Sequence, residues 1–130
     1  MHRPTLFATT LAILLLGLLA SCTGQQNGAP QAVESYLKAM VAKDNTQISN
    51  YACTNYEAQA QIEADSFAGV SAQIQDLACK VSGQDNSTTL VSCTGKIVMS
   101  YNGEDSELDL SGRTYKVVQE GGDWRMCGYQ

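Results

Sequence analysis

The sequence predicts an α+β fold, with N-terminal helices packed on one face of a four-stranded antiparallel meander. Three observations carry that expectation. Apolar residues from Val33 to Val41 recur with a helical period, and beyond Gln73 the period falls to two. Asn102-Gly103, inside the alternating stretch, is the strongest two-residue hairpin signal. Helices first and strands after is the order of an α+β domain, and 130 residues suffice for one such domain with targeting signals in front.

The first 21 residues have the parts of a bacterial secretory signal. Arg3 supplies the charged start, Leu6 to Ala20 the apolar stretch, and small residues lead to Cys22. About 15 apolar residues are too few for a membrane span, which needs roughly 20. Leu19-Ala20-Ser21-Cys22 resembles the bacterial lipobox. That resemblance implies cleavage before Cys22, a lipid on its thiol, and residence in the bacterial cell envelope with the domain outside the cytoplasm. At least two acyl chains make such an anchor stable. Residues 22–29 then read as a lipidated, Gly- and Gln-rich tether of about 15 Å, and residues 30–130 as one domain.

Within the domain, Pro30 suits the first turn of a helix. Val33, Tyr36, Leu37, Met40 and Val41 form its apolar stripe, and Lys43-Asp44-Asn45 ends it. A second helical stretch turns Ile48, Tyr51 and Ala52 to one side, with Cys53 at its end. A third, from Asn55 to Ser66, is rich in Ala, Gln and Glu. In the second half, Leu77, Cys79 and Val81 alternate with polar neighbours across a turn expected at Gly83–Thr88. Val91, Cys93, Gly95, Ile97 and Met99 do the same. The Asn102-Gly103 turn sets Ile97 opposite Leu108 and Lys96 opposite Asp109, apolar on apolar and opposite charges together. Gly121-Gly122 makes a second tight turn, between Thr114–Gln119 and Trp124–Tyr129. One conflict of parity stands. Leu108 and Leu110 fall on the face opposite to Tyr115, Val117, Trp124 and Met126. A bulge near Gly112-Arg113 reconciles the two sets but turns Cys127 outward.

Four cysteines remain once Cys22 is set aside, and an even number in an exported chain reads as two disulfides. Strands lie ~4.8 Å apart, and Cα atoms beyond ~7 Å cannot be bridged. If strands pair in sequence order, Cys79 joins Cys93 across their hairpin. Cys53 is then left for Cys127, stapling the helical layer to the sheet.

Order and motifs together resemble the cystatin-like and nuclear-transport-factor-two-like superfamily, and small bacterial lipoproteins of it without assigned function. The likeness rests on the Val33–Asp44 helix, the Asn102-Gly103 hairpin and the Gly121-Gly122-Asp123-Trp124 closing strand. It implies a curved sheet wrapped as a cone around the first helix.

Composition removes several functions. A net charge of -5 argues against nucleic-acid binding, which needs a cationic face. The one histidine, His2, lies in the leader, so the mature chain has no imidazole for triads or zinc. Enzymes of the superfamily it resembles, such as dehydratases and ketosteroid isomerases, put an aspartate and often a histidine or tyrosine inside the cone. Tyr36, Tyr51, Tyr56 and Tyr115 offer phenols and Asp65 or Asp76 carboxylates, but no spacing brings two of them together. No catalytic residue is therefore expected. Asp105, Glu107 and Asp109 share one strand face yet spread over ~13 Å, too far to hold one cation. No metal and no cofactor are expected. Tyr36, Met40, Phe67, Met99 and Trp124 are candidates to line a pocket. The expectation is a non-catalytic, membrane-anchored envelope lipoprotein binding a small apolar ligand or a protein partner. A structural, homodimerising envelope protein is the alternative, and an enzyme using tyrosine and carboxylate acid-base chemistry ranks below both.

Overall fold

The computed structural model describes residues 28–130. The signal segment, Cys22 and residues 23–27 lie outside the described residues, so neither cleavage nor lipidation is addressed by the fold. Three helices come first: α1 (Gly28–Ala42), α2 (Asn45–Tyr51) and α3 (Glu57–Ser66). Five strands follow: β1 (Ser71–Asp85), β2 (Thr88–Tyr101), β3 (Glu104–Asp109), β4 (Thr114–Glu120) and β5 (Asp123–Tyr129). No helix among the described residues is long and apolar enough to cross a membrane.

Helix α1 buries Ala29, Ala32, Val33, Tyr36, Leu37 and Met40, one stripe at i, i+3, i+4 and i+7 spacing. It starts two residues earlier than expected. Gly28 and Ala29, read as tether, are its first turn, because Ala29 is fully buried and Trp124 lies against Gly28. Lys43 takes a left-handed conformation at φ 58° after the helix, and its N–H closes onto the Met40 carbonyl at 3.1 Å. Asp44 then caps α2 by accepting from the Gln47 N–H at 3.1 Å. Helix α3 buries only Ala60 and Ala64, small side chains that let it lie close to its neighbours.

The sheet keeps the meander order, but its third ribbon is two strands set end to end along β2. Strand β2 pairs with β1 on one side; on the other, its later half pairs with β3 and its earlier half with β4. The Asn102-Gly103 register is found as Lys96↔Asp109 and Ile97↔Leu108. Four steps along β2, from Lys96 to Ser92, face five along its partner, from Asp109 to Thr114. That one extra residue around Ser111–Arg113 flips the alternation, so Leu110, Tyr115 and Val117 all reach the core. The first hairpin is longer than expected. Asp85 pairs with Thr88, so the turn is Asn86-Ser87 and not the whole of Gly83–Thr88.

Two disulfides are present, Cys79–Cys93 and Cys53–Cys127. Cys79 and Cys93 sit directly opposite in the β1–β2 register, Cα atoms 4.1 Å apart. Cys127 is reached differently from the sequence expectation. The β4–β5 register slips between Val117↔Met126 and Tyr115↔Tyr129, and Cys127 lies in that second bulge. Chain leaving α2 runs alongside this strand, with a parallel bridge Ala52↔Met126 and the Cys53 N–H on the Met126 carbonyl at 2.8 Å. Edge pairing brings Cys53 beside Cys127, so an outward turn of the strand does not separate them. Two such bonds fit an oxidising, non-cytoplasmic compartment.

Candidate functional site

Helices α1 and α3 hold a carboxylate between two phenols. Glu63 comes from α3, Tyr36 from the buried stripe of α1, and Tyr56 from the residue before α3. The Tyr36 hydroxyl donates to Glu63 Oε2 at 3.1 Å, and the Tyr56 hydroxyl donates to Oε1. Burial, then the nearby Glu63 charge, holds the Tyr36 phenol well above its ordinary pKa. Burial and the hydrogen bond to Glu63 do the same for Tyr56. Both stay neutral donors over the physiological range.

Two further tyrosines and an arginine complete the group. The Arg113 guanidinium lies over the Tyr129 ring, 4.3 Å from its centroid. Tyr115 packs on Tyr129 with ring centroids 6.0 Å apart. Its side chain is 1% exposed, and its hydroxyl has no hydrogen-bond partner among the described residues. Burial raises the Tyr115 pKa, and the neighbouring Arg113 opposes the shift. A cavity of about 240 Å³ opens between these groups, walled by Met40, Phe67, Met99, Leu108, Ser66, Glu63, Arg113 and Tyr129.

The five candidate pocket residues thus divide. Met40, Phe67 and Met99 line this cavity together. Tyr36 is a fully buried core residue that serves the cavity from behind, through Glu63. Trp124 does not belong to it. Its indole borders a separate cleft of about 460 Å³ with Gly28, Gln31, Ser35, Tyr51, Asp123 and Arg125.

The carboxylates assigned from sequence are displaced too. Asp65 is exposed and accepts from Asn45 Nδ2 at 3.2 Å, and Asp76 sits exposed in a left-handed bulge at φ 54°. Glu63 is the carboxylate that meets phenols, which overturns the expectation that no tyrosine and carboxylate are brought together. One signal for it was available: Tyr56 and Glu63 are seven residues apart, two helical turns, and so share a face. Nothing in the pattern marked Arg113 or Tyr129. Asp105, Glu107 and Asp109 remain exposed on β3. Glu107 pairs with Lys96 at 2.6 Å, while Asp109 accepts from Ser111 N and Oγ, which lowers its pKa. Among the described residues no three His, Cys, Asp or Glu side chains converge as metal ligands.

No family model and no curated protein matches the chain. Solved structures do. A putative dehydratase from the NTF2-like family of Streptomyces avermitilis is 14% identical, with TM-score 0.56, over 80% of this chain and 91% of that one. A SEC-C motif containing protein from Rhodopseudomonas palustris is 12% identical, with TM-score 0.54, over 76% of this chain and 74% of that one. At such identities the likeness speaks for the fold alone: the chain has an α+β fold of the nuclear-transport-factor-two-like kind.

Proposed function

We propose that this protein is a non-catalytic, membrane-anchored envelope lipoprotein whose cone cavity binds a small ligand with an apolar body. One observation carries the reading: apolar Met40, Phe67, Met99 and Leu108 face the same cavity as two charged side chains, Glu63 and Arg113. Binding sites have this composition, mostly apolar walls with a few polar groups that fix orientation. A filled core would leave neither the space nor the charges.

Anchoring is supported by the Leu19-Ala20-Ser21-Cys22 motif and by the disulfides, which suit an exported domain. Labelled palmitate should enter the wild-type chain in its bacterial host and be lost in Cys22→Ser.

Ligand binding is tested with a panel of four- to eight-carbon alkyl and aryl compounds by saturation-transfer NMR. Ser66→Trp, an exposed position at the cavity wall, should block transfer. Equal transfer to wild type and variant would remove the cavity from the account.

A second reading, acid-base catalysis, is favoured by the Tyr36–Glu63–Tyr56 arrangement. A carboxylate with neutral phenols in a concave site is the equipment for moving a proton. Both Glu63 oxygens already accept from phenols, however, so substrate must displace one donor before Glu63 can act as a base. Turnover of an enolisable ketone that disappears in Glu63→Gln would install this reading in place of the first.

A further inference from the structure

We infer that the cavity takes a small organic acid, its carboxylate on the Arg113 guanidinium and its hydrocarbon body against Met40, Phe67, Met99 and Leu108. This rests on the ligand-binding reading of the same cavity and adds the chemical class of the ligand.

The two charged groups of the cavity are in different states of satisfaction. Each Glu63 oxygen holds a phenolic hydrogen bond, from Tyr36 and from Tyr56. Arg113 has its ring contact with Tyr129, the Tyr115 hydroxyl beside it, and no ion pair among the described residues. A guanidinium carries five N–H donors and no acceptor. Stacking on a ring satisfies none of them. Leaving most of these donors without an acceptor at a half-buried site is costly.

Tyr115 bounds what the protein itself supplies. Its buried hydroxyl lies beside Arg113 and offers the guanidinium one acceptor oxygen, enough for one of five N–H donors. The remaining donors meet no charged acceptor among the described residues, and the best match to a guanidinium fork is a planar carboxylate.

Glu63 sets the other limit. Its charge faces the same cavity, so an incoming anion is repelled as well as attracted. The two phenols temper that repulsion for a monoanion. A second negative charge, on a phosphate or a dicarboxylate, meets it with no further cation in the wall, since Arg113 is the only Lys or Arg among the described residues that line the cavity. The space fits a short chain. About 240 Å³, at ~30 Å³ for a water-sized group, holds about eight non-hydrogen atoms. Hexanoate has that size, and hexanamide is its neutral isostere.

Calorimetric titration of the full-length protein in lipid nanodiscs, with empty nanodiscs as control, tests the assignment. Hexanoate should bind about tenfold or more tightly than hexanamide, the effect of a charge-assisted hydrogen bond pair. Adipate, with its second carboxylate, should bind more weakly than hexanoate. Arg113→Gln should abolish the preference for acid over amide. Arg113→Lys, which keeps the charge and loses the fork, should reduce it and serves if the glutamine variant does not fold. Equal affinities for acid and amide, both blocked by Ser66→Trp, would overturn the carboxylate assignment and leave the cavity a ligand site. Binding of neither compound would overturn both readings.

Discussion

The Tyr36 hydroxyl on α1 and the Glu63 carboxylate on α3 meet at 3.1 Å although 27 residues separate them in the chain. This bond does two things. It joins helices that otherwise touch mainly through small side chains, and it supplies a buried phenol with the acceptor it needs. It also explains why α3, whose buried face is only Ala60 and Ala64, has a fixed rotation about its axis. Glu63 has to face α1.

Tyr36→Phe tests that role. The ring stays in the core and only the hydroxyl is lost, leaving Glu63 with the Tyr56 donor. The expected cost is about 1.5–3 kcal/mol, the range for a hydrogen bond to a charged group. Urea denaturation measures it. A variant as stable as wild type would mean that the bond is offset by water.

The same two phenols make stability depend on alkaline pH. Tyr36 and Tyr56 have pKa values raised in the fold, while an unfolded tyrosine titrates near 10. Above about pH 10 the unfolded chain loses phenolic protons that the native state keeps. The native state then binds more protons, so stability falls as pH rises from about 10 towards the folded values. Urea midpoints at pH 9 and pH 11 should differ, and the Tyr36→Phe/Tyr56→Phe double variant should show a smaller drop. A midpoint unchanged over that interval in wild type would sink the prediction.

What sequence could and could not reveal follows from the range of each interaction. The β2–β3 register was legible because Asn102-Gly103 and its alternating flanks lie within a dozen residues. The need for a bulge near Gly112 was legible from parity alone, since Leu110 and Tyr115 cannot share a face on a regular strand. The Cys127 bulge was not. It depends on a β5 edge pairing with Ala52, a segment more than seventy residues earlier. The cavity was half legible: Met40 and Met99 follow from apolar periodicity, and Phe67 from its apolar ring where the helices end. Glu63 and Arg113 read as surface charges until helix and sheet are docked.

Gly95 shows how tightly β1 and β2 are fitted together. It adopts φ 100°, and an added Cβ would sit 2.5 Å from the Gln75 carbonyl oxygen and 2.6 Å from that of Asp76. The β1 strand bulges here, between Gln75 and Ala78, and its carbonyls close on the glycine. Gly95→Ala should therefore cost about 1–3 kcal/mol, from a left-handed conformation and a backbone clash together. Thermal unfolding measures the loss. Retention of wild-type stability would mean that the bulge relaxes without cost.

The disulfides should differ in what they contribute, because they close loops of different length. Cys53–Cys127 spans 74 residues and Cys79–Cys93 spans 14. In the chain-entropy model these correspond to about 4.5 and about 3 kcal/mol of constraint on the unfolded chain. The longer bond has a second role. It fixes the Ala52–Cys53 segment along the outer edge of β5, where the bridge to Met126 is a single pairing. Without the bond that edge exposes unpaired backbone groups. The shorter bond adds to a hairpin already held by pairing from Ser71 to Asp85. Replacing Cys53 and Cys127 with alanine should thus destabilise the domain more than replacing Cys79 and Cys93. Tyr56, three residues after Cys53, should also lose its fixed approach to Glu63, so the first pair should weaken ligand binding and the second should not. Urea denaturation and the hexanoate titration on the two double variants separate these effects. A larger loss from the Cys79 and Cys93 pair would mean that hairpin closure outweighs the staple between helices and sheet.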